Sequence, residues 1–206
     1  MESFFSKAQN LFSPDNDDTS SVGSEDIKKE GKIKEPESEK GEIVIALVAA
    51  VGCDLNYFTN LIQTELEHYS YTSELIRISE AMLSEFSPPS DNMTRLQKIE
   101  HFMTAGNRYR DLSENNSALA YGAIAEISKL RQEKLQSDDP APIPNQAWII
   151  RSLKHPEEVE ALRKTYGDSL FIIGIYSEEG KREVNLLKKK VKADDENFVN
   201  ILIARD

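Results

Sequence analysis

The run Ala50-Val51-Gly52-Cys53-Asp54-Leu55 is the part of this chain best suited to holding an anion. A glycine turn followed by an aspartate that caps a helix leaves orphan backbone N–H groups at the helix start, and such groups bind phosphate or carboxylate. Cations stand at Arg108, Arg110, Arg151, Lys154, Lys181 and Arg182. Guanidinium groups grip phosphate through two parallel hydrogen bonds, which makes Arg108, Arg151 and Arg182 the candidate contacts. The stretch Lys188 to Lys190 reads instead as solvated surface charge. Cys53 is the single cysteine, so no internal disulfide and no multi-cysteine zinc site can form within one chain. A helix start favours its thiolate and Asp54 opposes it, so its expected role is that of a small residue filling a tight turn.

The elements that must carry these residues follow from hydropathy patterning. Ile43, Val44, Ile45, Leu47 and Val48 form a near-continuous apolar run, the signature of a strand buried on both faces of a parallel sheet. A helix over 54–68 presents Leu55, Phe58, Leu61, Ile62 and Leu66 on its apolar face. Ser73 to Ile78 reads as a second strand, and Pro88-Pro89 closes the loop after it. Met93, Leu96, Ile99, Phe102 and Met103 share one helix face, and a second helix from about Ser117 carries Leu119, Ile124, Ile127 and Leu130. Between them the charged stretch AGNRYRDLSENN reads as a turn, which places Arg108 and Arg110 in a loop.

Asp138 to Pro144 is a proline-rich connector. Ala147 to Ile150 is a third strand, with Arg151 and Lys154 just beyond it. Pro156 opens a helix reaching Tyr166, Ser169 to Tyr176 is a fourth strand, and Val199 to Ala204 is a final apolar run. The order β-α-β-α-α-β-α-β-α predicts the α/β class: a parallel sheet flanked by helices, the architecture of P-loop nucleoside-phosphate kinases among others. Residues 1–41 are polar and poor in large apolar side chains, a disordered leader to an α/β domain over 42–206. Within that leader Phe4, Phe5, Ala8, Leu11 and Phe12 recur at helical spacing, as either a short docking segment or an unstructured terminus.

A net charge of −11 argues against general affinity for nucleic acid or anionic membrane and leaves room for a local basic groove. No apolar run approaches the roughly 20 residues that span a bilayer, and the N-terminus lacks the cationic segment and apolar core of a signal peptide. The expected location is cytoplasmic. Aligned on Gly52 with the phosphate-binding pattern G-x-x-x-x-G-K-[ST], the chain has Leu47 at the first glycine, Cys53 at the lysine and Asp54 at the hydroxyl. An aspartate without the neighbouring lysine repels a triphosphate. Arg151 and Ser152 stand where a magnesium-holding acid is sought after the third strand. The pattern predicts binding or regulation without phosphoryl transfer.

The segments AAVGCDLNYF, GNRYR, WIIRSLKHPEEVEALRKTYGDSLFIIGIYS and GKREV, spanning approximately 42–206, together resemble the N-terminal P-loop-kinase-like domain of bacterial anti-phage deoxycytidylate deaminases. In such proteins that domain precedes a zinc-dependent cytidine deaminase domain consuming dCTP or dCMP. The resemblance implies a regulatory pseudokinase domain in antiviral defense, with a nucleotide ligand framed by Ala50 to Leu55. The partners it implies are a deaminase domain or subunit, an inhibitory RNA or protein, and a further copy of the chain. His155-Pro156-Glu157 fits the H-x-E spacing of zinc deaminases, but no P-C-x-x-C pair accompanies it. We therefore expect no zinc site and no catalytic residue in this chain, and read His155 to Glu157 as a helix start. The chain ends at Asp206 where the resembling proteins continue, as in a truncated product or a fragment. Two alternatives stay open: a small-molecule or nucleotide kinase with a degenerate loop, and a structural module that docks a partner.

Overall fold

Each strand of the central sheet feeds two different cores, and that division sets the layering. In β1 (Ile43–Ala49), Val44 and Ala46 pack on one side of the sheet with Trp148, Ile150 and Ile76, while Ile45, Leu47 and Ala49 pack on the other with Ala147, Ile149 and Ile175. Alternate side chains of a strand point to opposite faces, so a near-continuous apolar run is what a doubly covered strand requires. The computed structural model describes residues 40–188 and 195–206. The Phe4 to Phe12 segment, nearly all of the 1–41 leader, and Lys189 and Lys190 lie outside the described residues.

The elements follow in the order β1, α1 (Leu55–His68), β2 (Thr72–Arg77), a π-helical turn (Ser79–Leu83), α2 (Arg95–Ser113), α3 (Ala118–Leu135), β3 (Gln146–Leu153), α4 (Pro156–Tyr166), β4 (Leu170–Ile175), α5 (Glu179–Leu187) and α6 (Asp195–Arg205). The four strands form one parallel sheet in the order β2-β3-β1-β4, flanked by helices. The face holding Trp148 is covered largely by α3 and α4, and α1 covers the other. A third cluster, Leu96, Leu186, Val199 and Leu202, ties α2, α5 and α6 together and takes in Val51 from the loop after β1. Among the described residues no helix is long and apolar enough to cross a membrane.

The structure corrects three expectations. AGNRYRDLSENN is not a turn: α2 continues through Ser113 and stops only where Glu114 adopts a left-handed conformation at φ 48°. The helix starts firmly, with Thr94 and Gln97 capping each other's backbone N–H groups, and it persists because Arg110 turns inward to a buried partner, Glu158. Second, β3 runs past Ile150 to Leu153, so Arg151 lies within the strand, paired in register with Leu47 of β1 and Arg77 of β2. Ser152, at φ 71°, forms a bulge that lets Leu153 pair with Val48. Third, Leu61 is exposed on the outer side of α1 and does not join Leu55, Phe58, Ile62 and Leu66 against the sheet.

Glu42 anchors the start of β1 as a buried carboxylate. It accepts hydrogen bonds from the Trp148 indole N–H, from Arg131 Nε at 3.0 Å and from the Ile143 backbone N–H at 2.9 Å. Arg131 also lies over the Tyr166 ring, 5.8 Å from its centroid. Burial pushes the Tyr166 phenol up to about 12, with Arg131 opposing and Glu42 reinforcing the shift. The unfolded phenol ionises near pH 10, so the unfolded chain loses its proton first and stability falls as pH rises from about 10 to about 12. The expected loss reaches about 3 kcal/mol. A plot of urea midpoint against pH tests this: Tyr166→Phe flattens the alkaline decline, and an unchanged slope in that variant contradicts it.

Candidate functional site

The order β2-β3-β1-β4 makes β1 and β3 neighbours whose outgoing connections leave toward opposite edges of the sheet. A crevice opens at the carboxyl ends of such a strand pair, and α/β proteins bind ligands there. In this chain the crevice is a cleft of about 220 Å³, lined by Gly52 to Asn56 from the loop and first turn of α1, by Arg151 of β3, by Arg95 of α2, and by Asn185 and Lys188 at the end of α5.

The loop is fixed by close packing. Gly52 has φ +87°, and a Cβ there would stand 2.7 Å from the Arg182 carbonyl oxygen and 2.8 Å from Arg182 Cβ. Glycine is thus required twice, once by conformation and once by the approach of α5. Arg182 Nη1 donates to Val51 O at 3.3 Å, and Asn185 Nδ2 donates to Gly52 O at 3.1 Å. Cys53 N donates to Ala50 O at 3.2 Å and Leu55 N to Cys53 O at 2.9 Å, so two loop N–H groups are already used internally. Cys53 packs beside Ile175, filling the turn as its size suggests. Asp54 caps α1, with its Oδ1 accepting from Tyr57 N at 3.2 Å.

Arg151 Nη1 donates to Asn56 Oδ1 at 2.9 Å across the cleft floor. Burial, and then the neighbouring Arg77, lower the pKa of Arg151, with Glu80 and Asp54 pulling it back up; an arginine stays protonated throughout. Arg95 Nη1 donates to the carbonyls of Asn185 at 3.3 Å and Leu186 at 3.0 Å, holding the C-terminal turn of α5 over the cleft. Among the described residues no carboxylate pairs with Arg95, Arg151 or Lys188, and Asp54 is the single acid in the lining. In a chain of net charge −11 this is a local positive site.

Of the residues expected from sequence, Gly52, Cys53, Asp54, Leu55 and Arg151 line the cleft. Ala50 and Val51 belong to the same loop, but Val51 turns its side chain into the α2–α5–α6 cluster. Arg182 clamps the turn through the Val51 carbonyl and is not among the residues lining the cleft. Arg108 is exposed on α2 and outside the cleft. Arg110 is a buried structural cation. Arg95, Asn185 and Lys188 were not expected: helical patterning marks Arg95 and Asn185 only as polar positions, and α5 comes over the loop through tertiary packing.

His155 and Glu157 stand at the start of α4, with Pro156 at its first position. The Glu157 carboxylate accepts from Asn116 Nδ2 at 3.0 Å, and its pKa is lowered by its own backbone N–H first and by Asn116 second. Among the described residues no three His, Cys, Asp or Glu side chains come together as a metal site. A larger open trough of about 440 Å³ lies along α2 between Ser90 and Thr104. It has no cation in its lining, and its His101 is held by the Ser87 carbonyl at 2.8 Å.

No protein-family model matches the chain, and no curated protein matches it in sequence.

Proposed function

We propose that the cleft beside Gly52 binds the phosphate end of a nucleotide, in a domain that senses its ligand and does not transform it. The observation that carries this reading is the gathering of Arg95, Arg151 and Lys188, without carboxylate partners among the described residues, around the start of α1 at the crevice between β1 and β3. Arg151 is half-buried and stands with two exposed cations, so an anion between the three is electrostatically favourable. The volume, about 220 Å³, falls below the roughly 300–1,000 Å³ of pockets that enclose a drug-sized ligand, so it suits a phosphate group with the nucleoside lying outside.

A sensing role fits the loop chemistry. Cys53 and Asp54 replace the lysine and hydroxyl that phosphoryl transfer requires, and Asp54 is committed to capping α1. Taken with the resemblance of residues 42–206 to the kinase-like domain of anti-phage deoxycytidylate deaminases, the reading assigns the chain to regulation of such a deaminase, supplied as a further domain or subunit. A deoxycytidine nucleotide is then the expected ligand.

Arg151→Ala is expected to weaken nucleotide binding by about 10–100-fold, the loss of one charge-assisted hydrogen-bond partner. Arg108→Ala is expected to leave it unchanged. Equilibrium dialysis with labelled dCMP measures both. Equal affinity in Arg151→Ala and the parent chain overturns the reading, and magnesium-dependent ATP turnover by the purified chain replaces it with the kinase alternative.

A further inference from the structure

One residue along the loop from Gly52, a carboxylate already sits where an anion would. Asp206 follows α6, and its Oδ2 accepts from the Val51 backbone N–H at 2.7 Å. Its Oδ1 pairs with the Lys154 ammonium, which also donates to the Ala49 carbonyl at 3.0 Å. The Asp206 side chain is only 7% exposed although the residue as a whole is open to solvent. The two donors sit at the carboxyl ends of the same strand pair that frames the cleft, Val51 after β1 and Lys154 after β3, and the accepting Ala49 carbonyl is at the last residue of β1.

We infer that the Val51 N–H and the Lys154 ammonium form a second oxyanion subsite, and that the Asp206 carboxylate occupies it as an internal competitor. The inference rests on the reading of the adjoining cleft as a phosphate site. A backbone N–H directed at a carboxylate, flanked by a lysine that a strand-end carbonyl holds in place, is the donor set a phosphate oxygen uses. The lysine is placed from behind: Glu158 Oε2 accepts from the backbone N–H groups of Lys154 at 2.7 Å and His155 at 3.1 Å, which fixes the turn between β3 and α4. A phosphate oxygen reaches the Val51 N–H and the Lys154 ammonium only after Asp206 leaves. Because α6 packs through Val199 and Leu202 on α2 and α5, displacing Asp206 loosens the contact of α6 with the loop. Occupancy of the subsite is thereby linked to the position of α6.

Inorganic pyrophosphate is the probe, and titration calorimetry on the full chain is the measurement. A site blocked most of the time by its own carboxylate binds more weakly by the fraction of time it is free. Asp206→Asn and Asp206→Ala are therefore expected to tighten pyrophosphate binding about tenfold or more, and adding Lys154→Ala is expected to abolish the gain. Asp206→Asn preserves size and one acceptor, so it reports on charge even if the alanine variant proves unstable. If both Asp206 variants bind as the parent chain does while Arg151→Ala still weakens binding, the internal competitor is refuted and the cleft reading survives. A gain that needs Lys154 but ignores Arg151→Ala keeps the subsite and removes the cleft reading. No binding by any variant overturns both.

Discussion

Arg110→Ala is expected to destabilise the fold by about 3–5 kcal/mol, the cost of breaking a buried ion pair from one side. The Arg110 and Glu158 side chains are 6% and 0% exposed. Glu158 Oε1 accepts from Arg110 Nη2 at 2.7 Å and from Nε at 3.2 Å, and Oε2 serves the Lys154 and His155 backbone N–H groups. Removing the guanidinium strands a carboxylate in the interior, where its charge is neither solvated nor paired. Pairing Arg110→Met with Glu158→Gln leaves no buried charge and keeps an acceptor for those two N–H groups, so the double variant is expected to lose less stability than Arg110→Ala alone. Urea unfolding midpoints measure both. An Arg110→Ala variant within about 1 kcal/mol of the parent chain would mean that water relieves the pair. The consequence reaches the site, since Glu158 holds the turn carrying Lys154.

Gly52→Val is expected to cost about 2–5 kcal/mol and to abolish ligand binding together with it. A left-handed backbone at φ +87° strains any side chain with a Cβ, and a β-branched one most. The larger part of the cost is steric, because the new Cβ would meet backbone atoms of Arg182 that cannot swing aside. Relief requires α5 to move off the loop, which takes Asn185 and Lys188 out of the cleft. Gly174→Ala is the matched control: nothing lies within 4 Å of a Cβ there, so its effect is expected to stay within about 0.5 kcal/mol. Comparable losses in the two variants would show that the Gly52 contact with α5 is not what fixes the loop.

These two positions illustrate what sequence patterning can and cannot reach. Local signals carried the fold class: the apolar run of β1, Asp54 as the cap of α1 and Pro156 at the first position of α4 are each decided by near neighbours in the chain. Gly52 was legible as a turn, because φ is a local property. Its second role was not, since the Arg182 backbone that crowds it is 130 residues away. Arg110 misled for the same reason. A charged stretch reads as a solvated turn unless the buried partner is known, and Glu158 lies 48 residues later. A cation ends an apolar run and so reads as lying beyond the strand, yet Arg151 pairs with both neighbouring strands and the pairing with β1 continues to Leu153. Arg95 and Lys188 carried no sequence signal of a site. Tertiary packing alone brings the start of α2 and the end of α5 to the Gly52 loop.

The central claim is that the cleft recognises a nucleotide through its phosphate. It is tested most directly by melting the parent chain and Arg151→Ala with dCMP, dCTP, dTTP, ATP and GTP, each with and without magnesium. A ligand that binds only the folded state raises its melting temperature. The expected result is a rise with a deoxycytidine nucleotide in the parent chain that does not require magnesium and is lost in Arg151→Ala. No rise with any nucleotide, or an equal rise in both proteins, would contradict the claim.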